Sequence, residues 1–246
     1  PTPALLTKTA LESASIPNII INAGSKIRPQ LPCFETGLPP GGNIAIEPAM
    51  SLDDVTHAVE YGRMMGRSLG STTDCLVIGE SIPGGTTTAQ AVLTSLGING
   101  MVSSSMQENP TSLKQKIAND AAKRIDSTNE FDVVANCGDP MIPTVAGILS
   151  TASAQTKVIL AGGTQMAAAL AFGKITGYHR DNVALATTSY IIDDKSANLI
   201  EMVSQIDMIP VFSVKLALGR SKIDGLKAFA NGFVKEGVGA GGVSLA

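Results

Sequence analysis

The stretch CLVIGESIPGGTTTA, residues 75–89, decides the fold. Residues 75–79 form a short, uninterrupted apolar run of the kind buried in a parallel sheet. They lead directly into Glu80, then through Pro83, Gly84 and Gly85 into a helix that opens with Thr86, Thr87 and Thr88 and runs through Leu96. A strand that passes through a glycine turn into a helix is half of a βαβ unit. Further copies of that plan in one chain make an α/β fold.

The plan recurs downstream. KVILA (157–161) reads as a strand, Gly162-Gly163-Thr164-Gln165 as a turn and MAAALAFGKI (166–175) as a helix. FDVVANC (131–137) also reads as a strand, preceded by the helix SLKQKIANDAAKRI (112–125) and followed by a Gly138-Asp139-Pro140 turn and an apolar helix, 143–154. NVALATTSYII (182–192) is a fourth strand before the helix SANLIEMVSQI (196–206). Together they predict a three-layer α/β/α fold with a mostly parallel, Rossmann-like sheet and helices on both faces. Ligands of such sheets sit beyond the carboxyl ends of the strands.

Upstream, 4–14 reads as a helix and NIIIN (18–22) as a short strand. Ser51 caps the helix 51–69, with Asp54 placed for a capping box. Residues 24–48, with Pro29, Pro32, Pro39, Pro40, Gly41 and Gly42, are expected to form a long loop. At the other end, 223–236 reads as a helix that ends in the glycine-rich turn 237–242. Residues 1–246 are expected to form a single domain. The opening Pro1-Thr2-Pro3, with no Met, is read as the mark of a missing native N-terminal segment.

Composition narrows the function. Of the 246 residues 44% are hydrophobic and 16% charged, which excludes disorder as the main state. Lys and Arg number 18 against 21 Asp and Glu, so the net charge of -3 lacks the basic excess of a nucleic-acid binder. Cys33, Cys75 and Cys137 are too few and scattered for a disulfide framework, and are expected to be reduced, buried small hydrophobes. The charge-free stretches 141–156 and 158–173 are shorter than the roughly 20 residues of a membrane span. The expected setting is the cytoplasm, with neither membrane nor nucleic acid as partner.

Several groups can carry chemistry. Gly84, Gly85, Thr86 and Thr87 offer backbone N–H groups and hydroxyls at a helix start, which suits a phosphate and equally a Thr-capped turn. No Lys follows the glycines where a Walker A loop has one. Glu80 stands at a strand's carboxyl end, the usual cleft position. Ser103, Ser104 and Ser105 either hold ribose or phosphate oxygens or cap the next helix, on which Lys114 and Lys116 lie. Asp139 and Gln165 occupy turns from which either can reach ligand hydroxyls, with Asp139 equally a helix cap. In KEGVGAGG (235–242), Glu236 lies among Gly237, Gly239 and other small residues; shielded from water, it would have a raised pKa and take a proton near neutral pH. Asp193 and Asp194 read as a helix start rather than a magnesium site. His57 and His179 complete neither a catalytic triad nor a zinc set.

The strings PTPAL, GESIPGGTTTA, VSSS with the NP and LK that follow, GDPM, LAGGTQM and KEGVGAGG together resemble the archaeal and cyanobacterial branch of the nicotinate-nucleotide–dimethylbenzimidazole phosphoribosyltransferase family. The resemblance spans nearly the whole chain. The more distant bacterial enzymes carry a Gly-Glu-x-x-x-Gly-x-Thr-Thr turn, matched by Glu80, Gly84, Gly85, Thr86 and Thr87, and a later Lys, matched by Lys114 with Lys116 as the alternative. Their Gly-Gly turn is matched by Gly162 and Gly163. Their Gly-Glu-Gly-x-Gly loop is matched by Glu236, Gly237 and Gly239, with Lys235 in place of the first Gly.

The resemblance implies transfer of the 5-phosphoribosyl group of nicotinate mononucleotide to 5,6-dimethylbenzimidazole or a related azole, in cobalamin lower-ligand synthesis. It implies Glu236 as the base, Glu80 as the group that favours the developing ribose cation or orients ribose, the 84–87 turn and Lys114 as holders of the 5′-phosphate, no metal or other cofactor, and a homodimer. Another phosphoribosyl enzyme, a nucleotide-binding protein without turnover and a purely structural protein are the rival readings.

Overall fold

The computed structural model describes residues 2–246; Pro1, the first residue of the PTPAL string, lies outside them. The first half contains α1 (Pro3–Ala14), β1 (Ile21–Asn22), β2 (Phe34–Glu35), α2 (Leu52–Gly70), β3 (Cys75–Gly79), α3 (Gly85–Ser95), α4 (Thr111–Ala122) and α5 (Glu130–Cys137). Then come α6 (Met141–Ala152), β4 (Lys157–Ala161), α7 (Thr164–Thr176), β5 (Val183–Thr188), α8 (Ser189–Ile192), α9 (Leu199–Ile206), β6 (Val211–Val214), α10 (Asp224–Ala230) and α11 (Ala240–Leu245).

The largely apolar runs 75–79, 157–161 and 183–188 lie side by side because their interior residues can be buried, while Cys75, Gly79 and Lys157 stay exposed. With β6 they make a four-stranded, wholly parallel sheet in the order β3-β4-β5-β6. The register places Leu76, Ile78, Val158, Leu160, Val183 and Leu185 on one face, packed in or against the core. Val77, Ile159 and Ala184 lie half-buried on the other. Strand order follows chain order. Parallel crossovers are right-handed in nearly all proteins, so the rule assigns every connecting helix to the same face.

The third layer is accordingly thin. It is made by α11, which touches all four strands, and by α1 packed on α11, where the Thr7 hydroxyl donates to the Val238 carbonyl at 2.8 Å. No described helix is long and apolar enough to cross a membrane.

The α/β/α architecture stands, and several elements differ from their sequence reading. Residues 131–137 are helix rather than strand. The Asn129 carboxamide oxygen accepts from Phe131 N at 3.0 Å and starts α5, and Phe131 packs edge-on against Phe172. A short segment of mixed apolar and polar residues is compatible with either element, and here the cap decides. Gly138-Asp139-Pro140 is therefore a junction between helices, and two strand–glycine turn–helix units remain, β3–α3 and β4–α7. The strand at 182–192 ends at Thr188 and passes straight into α8. Val211–Val214, unassigned in the sequence reading, is the edge strand beside β5.

Residues 18–22 retain only Ile21 and Asn22 as strand. These pair with Phe34 and Glu35, inside the segment expected to be loop. The tail helix spans only Asp224–Ala230, and the end of the glycine-rich stretch continues as α11. Of the three free cysteines, Cys137 alone is buried; Cys33 is half-buried and Cys75, at the start of edge strand β3, is exposed.

The Ser51 capping box forms as expected, with Asp54 N donating to Ser51 Oγ at 3.0 Å and Ser51 N donating to Asp54 Oδ2 at 3.2 Å. It starts α2, which lies along α6 at backbone contact. A Cβ on Gly62 would overlap the Thr144 carbonyl oxygen, and one on Gly147 the Val59 carbonyl oxygen. Thr151 Oγ1 closes the seam on the Arg63 carbonyl at 2.8 Å.

Gly147→Ala should gain about 1 kcal/mol of helix propensity. It should lose more than that, because the backbone atom it meets cannot rotate away and overpacking costs roughly 1–3 kcal/mol or more. The expected outcome is a lower urea midpoint with an unchanged m-value; a midpoint at or above wild type would contradict the seam.

Candidate functional site

Glu80 follows the last residue of β3 and is only 7% exposed. Gln165, in the first turn of α7, donates from Nε2 to Glu80 Oε2 at 2.8 Å. Gly85 makes this approach possible, since a Cβ there would overlap the same Gln165 amide. Gly84, with φ of 73°, is the N-cap of α3, a left-handed position that glycine takes without strain. Thr86 and Thr87 are half-buried, and among the described residues their hydroxyls meet no side-chain partner. Thr88 Oγ1, one residue on, is hydrogen-bonded to Asp139 Oδ2. Asp139 also caps α6, accepting from Met141 N at 3.1 Å and Ile142 N at 3.3 Å, so the helix-cap reading of this residue is realised.

Glu236 reaches the same edge of the sheet from the C-terminal loop. Its Oε2 accepts from Thr188 N at 2.8 Å and Thr187 Oγ1 at 3.1 Å, at the end of β5. Its Oε1 accepts from Gly237 N at 3.1 Å and Gly241 N at 3.0 Å. The two carboxylate loops are joined by Val238 N donating to the Glu80 carbonyl at 2.8 Å. Backbone meets backbone here: a Cβ on Gly239 would lie 3.1 Å from Gly79 Cα, and one on Gly241 would overlap Thr187. Gly162, after β4, donates to the Ala186 carbonyl at 2.9 Å, and Gly163 is the N-cap of α7. Val234 and Val238 both have left-handed backbones, with φ of 48° and 54°. For β-branched residues such angles store strain that the surrounding contacts must hold.

A second cluster adjoins the first through Ser103 N, which donates to Thr164 Oγ1 at 3.3 Å. Lys114 is 5% exposed and donates from Nζ to the Ser103 carbonyl at 2.7 Å and Asn109 Oδ1 at 2.9 Å. Lys116 lies on the solvent face instead, paired with Asp120 at 3.0 Å, so the structure separates the two lysines. A recess of about 190 Å³ opens beside Lys114, lined also by Gln90, Thr111 and Gln115. Ser104 Oγ accepts from Met106 N at 3.1 Å, and Ser105, which is exposed, accepts from Val234 N through its carbonyl at 3.0 Å. No strand runs into this serine segment; it is irregular from Gly100 to Pro110.

Two members of this cluster were passed over in the sequence. Asp194, read as a helix start, and Lys235, read as a replaced glycine, form a buried ion pair at 3.2 Å. Asp194 Oδ2 also accepts from Ser103 Oγ at 2.6 Å. A lysine inside an otherwise small-residue loop was the signal available. Among the described residues, no group of three or more His, Cys, Asp and Glu is placed to hold a metal ion.

Burial dominates the electrostatics. It pushes the Glu80 carboxyl up to about 8, helped by the like charges of Asp139 and Glu236 and opposed by Ile82 N–H and the Gln165 amide. Burial also raises Glu236, opposed by its donors at Gly241, Gly237, Thr187 and Thr188, and raises Asp139. Lys114 moves down to about 8 through burial and the neighbouring Lys235 ammonium, with Asp194 opposing. Burial would raise Asp194, and the hydrogen bonds from Ser103 and Ser196, with Lys235, outweigh it and hold the carboxyl low.

A carboxyl whose folded pKa is raised is stabilising below its unfolded value and loses that stability as pH climbs through the folded one. The Glu80 contribution therefore disappears between about pH 4.5 and pH 8. Glu80→Gln keeps the neutral shape and cannot ionise. Its stability relative to wild type, from urea unfolding, should rise steadily from pH 5 to pH 8.5, whereas a constant difference would mean that Glu80 ionises normally.

Known proteins resemble this chain along most of its length. The sequence profile of a family described as Phosphoribosyltransferase matches residues 15–221, a span that includes Glu80, Lys114 and Asp194 and ends before Glu236. A UPF0284 protein of Archaeoglobus fulgidus is 43% identical over 244 residues, covering 99% of this chain and 70% of the relative. One of Methanosarcina mazei is 41% identical over 98% of this chain and 71% of its own length. The solved nicotinate-nucleotide-dimethylbenzimidazole phosphoribosyltransferase of Thermus thermophilus superposes with a TM-score of 0.70 at 20% identity, over 97% of this chain and 67% of that one, a likeness of fold. By the profile match the chain belongs to the phosphoribosyltransferase family that the profile describes, and by its identity to these archaeal proteins it groups with the UPF0284 proteins.

Proposed function

We propose that the chain transfers the 5-phosphoribosyl group of nicotinate mononucleotide to 5,6-dimethylbenzimidazole or a related azole, releasing nicotinate and an α-riboside phosphate. The observation that carries this reading is the joining of two partly desolvated carboxylates, Glu80 and Glu236, at the carboxyl ends of β3 and β5 by the Val238 bond, with Lys114 of α4 buried against the adjoining 103–106 loop. The name of the Thermus thermophilus structure supplies the substrate pair; the chemistry below is what this chain's residues suit.

The azole attacks the anomeric carbon from the face opposite nicotinate. The new C–N bond forms as the old one breaks, and the bonding pair returns to the nicotinate ring nitrogen. That nitrogen becomes neutral, so the leaving group needs no proton. The azole N–H proton passes to Glu236, whose burial raises its basicity while its four donors fix its orientation. Glu80, with its pKa near 8, carries a proton at neutral pH and suits donating to a ribose hydroxyl. The 84–87 turn and Lys114 take the 5′-phosphate, and that binding energy holds the anomeric carbon in line.

Calorimetry with nicotinate mononucleotide, against nicotinic acid riboside as the control, tests the phosphate end. Binding should require the phosphate and should weaken as pH rises above about 8, because Lys114 loses its proton there when the site is empty. It should also take up protons near that pH. Equal binding of the riboside would remove the phosphate assignment. At the acceptor end, Glu236→Gln should lower kcat for azole transfer by about 10² or more with a smaller effect on nucleotide KM. A loss within about tenfold would remove Glu236 as the base.

A further inference from the structure

We infer that Lys235, through its buried pair with Asp194, is a positioning residue that sets the Glu236 carboxylate and ties it to the phosphate-side loop. Lys235 is 7% exposed, and its ammonium meets three partners: Asp194 Oδ2 at 3.2 Å, the Ser104 carbonyl at 3.0 Å and the Met106 carbonyl at 3.3 Å. The backbone on either side is held as well. Val234 N donates to the Ser105 carbonyl at 3.0 Å, and Thr188 Oγ1 donates to the Lys235 carbonyl, while Thr188 N donates to Glu236.

The segment 103–106 is thus gripped from two sides, by Lys114 at Ser103 and by Lys235 at Ser104 and Met106. Asp194 links the two grips, accepting from both Ser103 Oγ and Lys235. The loop held this way carries left-handed valines at 234 and 238, immediately flanking the Lys235–Gly237 segment. Such backbone persists only where contacts over-determine it. Without the lysine anchor, the loop can relax and the Gly237 and Gly241 amides that orient Glu236 shift with it. The two ends of the substrate site are therefore assembled by one network, and a phosphate that orders the 103–106 segment also orders the base.

The role assigned to Lys235 in turnover rests on the reading of Glu236 as proton acceptor; the lock itself does not. Lys235→Met removes the charge at similar length, and it leaves Asp194 buried and unpaired, which costs stability on its own account. The double variant Lys235→Met with Asp194→Asn removes that orphaned charge. We expect the double variant to recover most of the thermal stability lost by Lys235→Met while kcat stays at least about tenfold below wild type and nucleotide KM changes far less. In both variants, hydrogen exchange at the Gly237 and Gly241 amides should speed up.

Recovery of kcat together with stability would reduce Lys235 to a structural residue and overturn the proposal. Unchanged exchange at both amides would overturn it as well. A wild-type protein that transfers to no azole would instead defeat the transferase reading, and the exchange measurement would then decide on the lock alone.

Discussion

The site depends on one constraint: the C-terminal loop and the first turn of α11 must lie backbone to backbone against the carboxyl ends of β3, β4 and β5. Gly239 sits on Gly79 and Ala161, Gly241 on Thr187, and Gly242 on Ala161, with no room for a Cβ at Gly241 or Gly242. This contact brings Glu236 to the β5 terminus and lets Val238 N reach the Glu80 carbonyl. It also supplies the layer that the crossover helices leave open, because strands added in chain order place all their connections on the opposite face.

Close approach excludes water, and the charges respond. Burial raises the cost of ionising Glu80, Asp139 and Glu236, and the charges of Asp139 and Glu236 raise that of Glu80 further, so Glu80 holds its proton at neutral pH. A few residues away the balance has the other sign: two buried ammoniums, Lys114 and Lys235, face the single carboxylate of Asp194. A region short of negative charge beside a carboxylate whose affinity for protons is raised is the distribution an anionic donor and a proton-releasing acceptor would call for. It follows from burial and from the identity of the side chains.

The parts of this arrangement that were legible in the sequence are those set by local chemistry. Residues 75–79, followed at once by Glu80 and the 84–87 turn, declared strand, turn and helix through composition alone. The Ser51–Asp54 box and the 162–165 turn did the same. Residues 131–137 were misread because a seven-residue segment with apolar residues at 131, 133–135 and 137 satisfies both periods, and only the Asn129 cap and the Phe172 contact choose helix. Strand β6 escaped notice because it is a half-exposed edge of four residues whose partner, β5, is supplied by the fold. Asp194 and Lys235 escaped for a related reason: each is ordinary in its own neighbourhood, and they become a buried pair only when residues 41 positions apart meet.

By itself, then, the sequence determined the class of fold, the strand termini that carry Glu80 and the turns beside it, and the small-residue loop around Glu236. These are properties of short segments, where backbone propensity, glycine turns and apolar runs act over a few residues. Tertiary structure decided which groups share the site. It separated Lys114 from Lys116 by setting Lys114 against Ser103, brought Thr88 to Asp139, and paired Lys235 with Asp194. Those outcomes depend on desolvation and on the distance between segments far apart in the chain, and neither exists until the sheet has formed and α11 has closed over its edge.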